Sequence, residues 1–113
     1  MEENYYPLNL NTVSKQRRYL TQKIIPFLRT KESGYIKLRR IPDNCRGLWY
    51  EDDSCIELDI NYNLIPTLIH ETVHALNPIM LEKDVVRLEQ LLADAMTLNH
   101  SKDLLDLISV LSD

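Results

Sequence analysis

The chain has 113 residues, 44% of them hydrophobic and 27% charged, with a formal net charge of −4, which suits one small globular domain spanning 1–113. Two glycines and five prolines exclude collagen-like and linker compositions, and no apolar run approaches the ~18 residues that would cross a bilayer. The acidic start Met1-Glu2-Glu3-Asn4 is unlike a signal or transit peptide, and Cys45 and Cys55 lack metal-type spacing. A cytoplasmic, reduced protein is therefore expected, with a Cys45–Cys55 bridge as the alternative.

In chain order, Tyr5, Tyr6 and Pro7 belong to an arm expected to pack onto the body. Val13, Tyr19, Leu20, Ile24, Phe27 and Leu28 then approximate helical spacing from Thr12 to Arg29, with Pro26 expected to end or kink the helix. Lys31-Glu32-Ser33-Gly34 is a turn. Tyr35 to Ile41 alternates as a strand, broken by Pro42-Asp43-Asn44. Leu48-Trp49-Tyr50 and Cys55 to Ile60 flank Glu51-Asp52-Asp53-Ser54 and predict a hairpin. In its second arm Ile56, Leu58 and Ile60 face one way, and Glu57 and Asp59 the other. Asn63 is a candidate N-cap for a helix from Leu64 to about Leu76, with Pro66 tolerated near its start and Asn77-Pro78 as the stop. A second helix is expected from Ile79 or Leu81 to Leu98, and a third after Ser101. The order gives an α+β fold: an N-terminal helix, a small mainly antiparallel sheet, then three helices.

Charge is distributed unevenly. Lys15 to Arg40 holds nine basic residues and one acid, whereas Ile41 to Asp113 holds four basic residues and fourteen acids. The basic segment could serve as a partner surface, or could pair with acidic neighbours inside the fold.

His70-Glu71-Thr72-Val73-His74 carries the chemistry. On a helix, positions i and i+4 stand one turn apart on one face, so both imidazoles can hold one Zn²⁺. Glu71, about 100° away, stands beside the metal as a general base for a zinc-activated water. With Leu64 at zero and about 100° per residue, the apolar residues of this helix fill an arc of about 180°. His70 and His74 fall outside it, near 240° and 280°.

A catalytic zinc takes a third protein ligand. Glu82, Asp84, Glu89, Asp94 and His100 are the downstream candidates. Glu89 lies among apolar positions on the wheel of its helix and needs a cation or strong donors there, so it is the first choice. A lysine, an arginine or a backbone amide could satisfy it instead. Glu82 projects to a similar angle and is the second choice. Asp94 shares its face with Lys83, Arg87 and Gln90 and reads as solvated. Arg46, Tyr50, Tyr62 and His100 are candidate oxyanion donors, while Trp49 beside Tyr50 could line a substrate cleft but reads first as hairpin packing.

Over about Tyr35 to Leu98 the chain resembles the zincin metallopeptidases, in particular minimal gluzincin-like members of the small bacterial and phage kind. The resemblance rests on the strand Cys55 to Ile60, the helix bearing Leu68 to Leu76, and the Glu89-bearing helix. It implies hydrolysis of a peptide bond, with His70, His74 and Glu89 on zinc and Glu71 as base. It also implies that Ile56, Glu57 and Leu58, or the partner strand at Leu48-Trp49-Tyr50, pair with an extended peptide or protein substrate. Fourteen residues separate His74 from Glu89, and Ala93 stands where larger relatives of that type carry a second carboxylate. No Gly-x-x-His continuation and no third histidine before His100 follow the motif. The alternative is a binding or regulatory module on the same scaffold, contacting nucleic acid or an acidic partner through 15–40. A blander third reading is a metal-free protein whose helices assemble a dimer.

Overall fold

Thr12 opens the first helix: its Oγ1 accepts a hydrogen bond from the Lys15 amide at 3.1 Å, and α1 covers Val13–Tyr19. The helical path does not end at Pro26. It widens into a π-helical turn at Leu20–Ile24, where the Ile25 amide reaches back to the Leu20 carbonyl, and continues as α2, Ile25–Arg29. Pro26 thus falls in the first turn of α2, directly after the widened π-helical turn. This computed structural model describes residues 9–42, 45–50, 52 and 54–112. The expected arm at Tyr5, Tyr6 and Pro7, and the turn residues Asp43, Asn44, Glu51 and Asp53, lie outside the described residues.

Gly34 takes φ 97°, a conformation that glycine adopts without steric cost, and its amide donates to the Leu111 carbonyl at 2.8 Å. The chain thereby turns into β1, Ile36–Arg39. Strands β2, Gly47–Trp49, and β3, Ile56–Asp59, complete a three-stranded sheet of order β1-β3-β2. The expected hairpin is present, since β2 pairs antiparallel with β3 in the register Trp49↔Ile56. The sheet as a whole is mixed rather than mainly antiparallel, because β1 runs parallel to β3, Ile36↔Ile56 to Arg39↔Asp59.

β3 is therefore the central strand and is buried on both faces. Ile56 and Leu58 enter the core. Asp59 is buried too, its oxygens accepting from the Asn61 amide at 2.8 Å and the Ile41 amide at 2.9 Å. Those two backbone bonds hold its carboxyl below the usual carboxylate range. Glu57 lies 3.4 Å from Arg39 Nε. The alternation that suggested one wet face here reflects an aspartate held by backbone amides and a glutamate ion-paired with Arg39.

Helix α3, Leu64–Leu76, lies across β2 and β3, with Leu68, Ile69 and Val73 in the core. Asn63 occupies the N-cap position without a side-chain cap bond, and Asn77 ends the helix as expected. Helix α4, Glu82–Ala95, packs on α3 through Val85, Leu88 and Leu92. It is shorter than expected at both ends. Helix α5 covers Leu98–Leu111 and starts from Thr97 rather than Ser101, through a reciprocal capping box. Thr97 Oγ1 accepts from the His100 amide at 3.2 Å, and His100 Nδ1 accepts from the Thr97 amide at 3.1 Å. The ring proton is then on Nε2, donated to Thr21 Oγ1 at 2.9 Å. Both ring nitrogens are committed, which removes His100 from the candidate oxyanion donors and zinc ligands. Among the described residues no helix is long and apolar enough to cross a membrane.

Burial, and secondarily Arg17, depress the pKa of His100, so the fold favours its neutral ring. Its contribution to stability is complete above the unfolded value of about 6.5 and is lost as pH falls through the lower folded value. Replacing His100 with Gln keeps a capping-box acceptor. Urea denaturation between pH 7.5 and 5 is expected to show a smaller acid loss of stability in His100→Gln than in the parent. Equal slopes would show that His100 does not titrate with folding.

Candidate metal centre

Two turns of α3 and the start of α4 build the site. His70 and His74 stand one turn apart, with ring centroids 5.0 Å from each other. The turn at Asn77-Pro78 reverses the chain, closed by the Met80 amide on the Asn77 carbonyl at 3.0 Å, and α4 begins at once with Glu82. Glu82 Oε1 lies 2.7 Å from His74 Nε2, and its Oε2 lies 3.1 Å from His70 Nε2. One ligand atom from each of His70, His74 and Glu82 falls within 4.8 Å of the other two.

Glu89 takes a different position from the one expected of it. Its Oε1 lies 2.8 Å from Nδ1 of His70, the nitrogen turned away from His74 and Glu82, and 3.1 Å from Arg46 Nη2. The arginine that could have satisfied this buried carboxylate does so. Glu82, the second choice, is the carboxylate that meets both Nε2 atoms. The reason is helical: Glu82 and Glu89 are seven residues apart and share the face of α4 turned to α3, so one sits on each side of His70. Such a carboxylate on the outer nitrogen fixes the tautomer and orientation of a ligating imidazole.

Glu71 is buried beside the two histidines, and burial, the largest of several influences, pushes its carboxyl up to about 7. It faces a cleft of about 260 Å³ bounded by Gly47, Leu48, Trp49, His74 and Glu82, which continues as about 200 Å³ past Cys45, Arg46 and Val86. Trp49 stacks on His74 at 5.7 Å with an interplanar angle of 8°. Sequence reasoning set Trp49 aside as packing; its position two residues from Gly47, on the same face of β2, was the available signal.

Gly47 lets β2 come this close. A Cβ there would sit 2.6 Å from Thr67 Cγ2, 3.0 Å from the Glu57 carbonyl and 3.1 Å from Glu71 Oε2. The expected substrate strand residues Ile56, Glu57 and Leu58 are not at a free edge. They are paired on both sides, and Ile56 and Leu58 are fully buried. The edge that borders the cleft is β2. Cys45 and Cys55 are free thiols.

The donor set fits a divalent cation. Glu71, Glu82 and Glu89 converge with a single guanidinium, Arg46, among them. His70 presents both ring nitrogens to carboxylate oxygens, which requires an imidazolium or a cation in place of the Nε2 proton. Burial opposes that positive charge, yet the Glu89 hydrogen bond and the charges of Glu71, Glu82 and Glu89 outweigh it and raise the His70 pKa. Two imidazoles and a carboxylate are a zinc-type set. Comparison with known protein families, curated proteins and solved structures finds no match for this chain.

A methyl group at Gly47 would strike both α3 and the β3 backbone. Gly47→Ala is expected to lose about 1–3 kcal/mol of stability, measured by urea denaturation of the metal-free protein. A stability equal to the parent would contradict the close approach of β2 to α3.

Proposed function

We propose that this protein is a small zinc-dependent metallopeptidase of the minimal zincin type. The observation that carries the reading is the convergence of His70, His74 and Glu82 beside a buried glutamate, in a cleft bordered by an edge strand. His70, His74 and Glu82 would hold the ion, with Glu89 orienting His70 from its outer nitrogen. Zinc in such a set supplies Lewis acidity, activating water and polarising a carbonyl.

The remaining steps belong to side chains of the chain itself. Glu71, with a carboxyl pushed up to about 7, takes a proton from the attacking water and passes it to the leaving amine nitrogen. An extended peptide can add to the outer edge of β2, which among the described residues pairs only with β3. That edge, not Ile56, Glu57 and Leu58 of β3, is the substrate strand in this reading. Trp49, stacked on His74, forms a wall of the cleft that an apolar substrate side chain can meet. Free thiols at Cys45 and Cys55 accord with a cytoplasmic location.

The alternative of a binding module acting through 15–40 has less support. Arg39 pairs with Glu57, Arg29 with Asp103, and Arg17 Nε donates to the Ala95 carbonyl at 2.7 Å, so part of the basic segment already has partners within the chain.

The two readings separate by experiment. Zinc-loaded protein is expected to cleave members of a quenched-fluorescent peptide library, and Glu71→Gln to lower that rate at least about 100-fold while keeping one zinc per chain. His74→Ala is expected to lose zinc and cleavage together. Parent-like cleavage by Glu71→Gln would refute the assigned base, and a zinc-loaded parent that cleaves nothing would favour the binding module.

A further inference from the structure

Arg46 touches none of the three proposed ligands, yet two parts of the site meet on it. Its Nη2 lies 3.1 Å from Glu89 Oε1, and its Nη1 lies 3.5 Å from Oε2, so the guanidinium fork faces both oxygens of one carboxylate. The same Oε1 lies 2.8 Å from His70 Nδ1. The Arg46 carbonyl accepts from the Asp59 amide of β3 at 2.7 Å, and the next residue is Gly47, pressed against α3.

We propose that Arg46 is the positioning residue of the metal centre: it clamps Glu89 onto the outer nitrogen of His70, and so sets how firmly His70 Nε2 holds a metal. The proposal rests on the metal-binding part of the reading above and adds to it the residue that regulates affinity at that site.

The physical case has three parts. An imidazole can rotate and can carry its proton on either nitrogen, so a ligand nitrogen is ready for metal only when the other nitrogen is fixed by a partner. Glu89 is that partner, but its side chain is only 9% exposed and cannot rely on water for compensation. Arg46 supplies the compensating charge and, through its planar fork, the orientation of the carboxylate plane. The third part is commitment. Both terminal nitrogens of Arg46 face Glu89, so the guanidinium is committed to the carboxylate behind His70.

Position adds a consequence. Arg46 leads directly into β2, so the clamp that steadies His70 also fastens the start of the cleft strand to α4. A side chain 43 residues away from Glu89 in sequence joins the hairpin to the helix pair.

The test is the zinc dissociation constant, measured by competition with a chromophoric chelator, for the parent, Arg46→Ala, Arg46→Lys, Glu89→Gln and the double variant Arg46→Ala/Glu89→Gln. Arg46→Ala is expected to weaken zinc about 10-fold or more, within the range seen when outer partners of metal ligands are removed. Arg46→Lys, which keeps the charge but not the fork, should recover only part of that loss. In the Glu89→Gln background, Arg46→Ala should add less than about 2-fold, because it acts through Glu89. Thermal unfolding of the zinc-free forms checks that the fold is kept; if Arg46→Ala does not fold, Arg46→Gln takes its place with the same expected loss. Unchanged zinc affinity, full recovery by lysine, or an equal loss in both backgrounds would overturn the proposal. A parent protein that takes up no zinc would overturn it together with the metallopeptidase reading.

Discussion

Negative charge is concentrated around His70 beyond what one arginine can balance. Glu71, Glu82 and Glu89 all act on this imidazole, Arg46 is the guanidinium that faces Glu89, and burial limits the access of water to His70, Glu71 and Glu89. This arrangement favours a cation, whether a second proton on His70 or a metal on the Nε2 side. The remaining features of the site follow from holding that cluster together. The tight turn after α3 brings Glu82 onto the two Nε2 atoms, the seven-residue spacing on α4 brings Glu89 to the opposite nitrogen, and Gly47 allows the sheet edge to close over Glu71.

The same cluster explains the division of labour among carboxylates that look alike in sequence. Glu82 is the most exposed of them, with a side chain 64% accessible, and it spans both histidines as a ligand at a cleft mouth should. Glu89 is enclosed and spent on hydrogen bonds with His70 and Arg46. Glu71 has no such hydrogen bonds and is held near neutral pKa by burial, which suits proton transfer near pH 7. In the proposed reading, position on two helices, not residue type, separates an ion-facing group, an orienting group and a base.

Much of this was legible in the sequence. The period of α3 placed both histidines off the apolar arc, and the wheel of α4 placed Glu89 on its buried side; both follow from helical geometry alone. The choice between Glu82 and Glu89 was not legible, because it depends on the length of the turn between two helices and on Arg46, which joins the site from another part of the chain. The place of β3 was hidden for a similar reason. Its alternation of apolar and charged residues has the pattern of a half-wet strand, yet the strand is central, with Asp59 bonded to backbone amides and Glu57 ion-paired with Arg39. The start of the last helix was misread, because a capping box at Thr97 and His100 outweighed the apparent cap at Ser101, whereas the first helical segment runs to Arg29 as expected, with a π-helical turn before Pro26.

In the proposed site one metal ion is held by His70, His74 and Glu82 with Glu89 behind His70. A crystal structure of the zinc-loaded protein, with the ion located by anomalous scattering at the zinc edge, tests this arrangement. Zinc is expected about 2.0–2.2 Å from the Nε2 atoms of both histidines and from a Glu82 oxygen, with Glu89 still bonded to Nδ1. Zinc ligated by Glu89 in place of Glu82, or absent from these residues altogether, would contradict it.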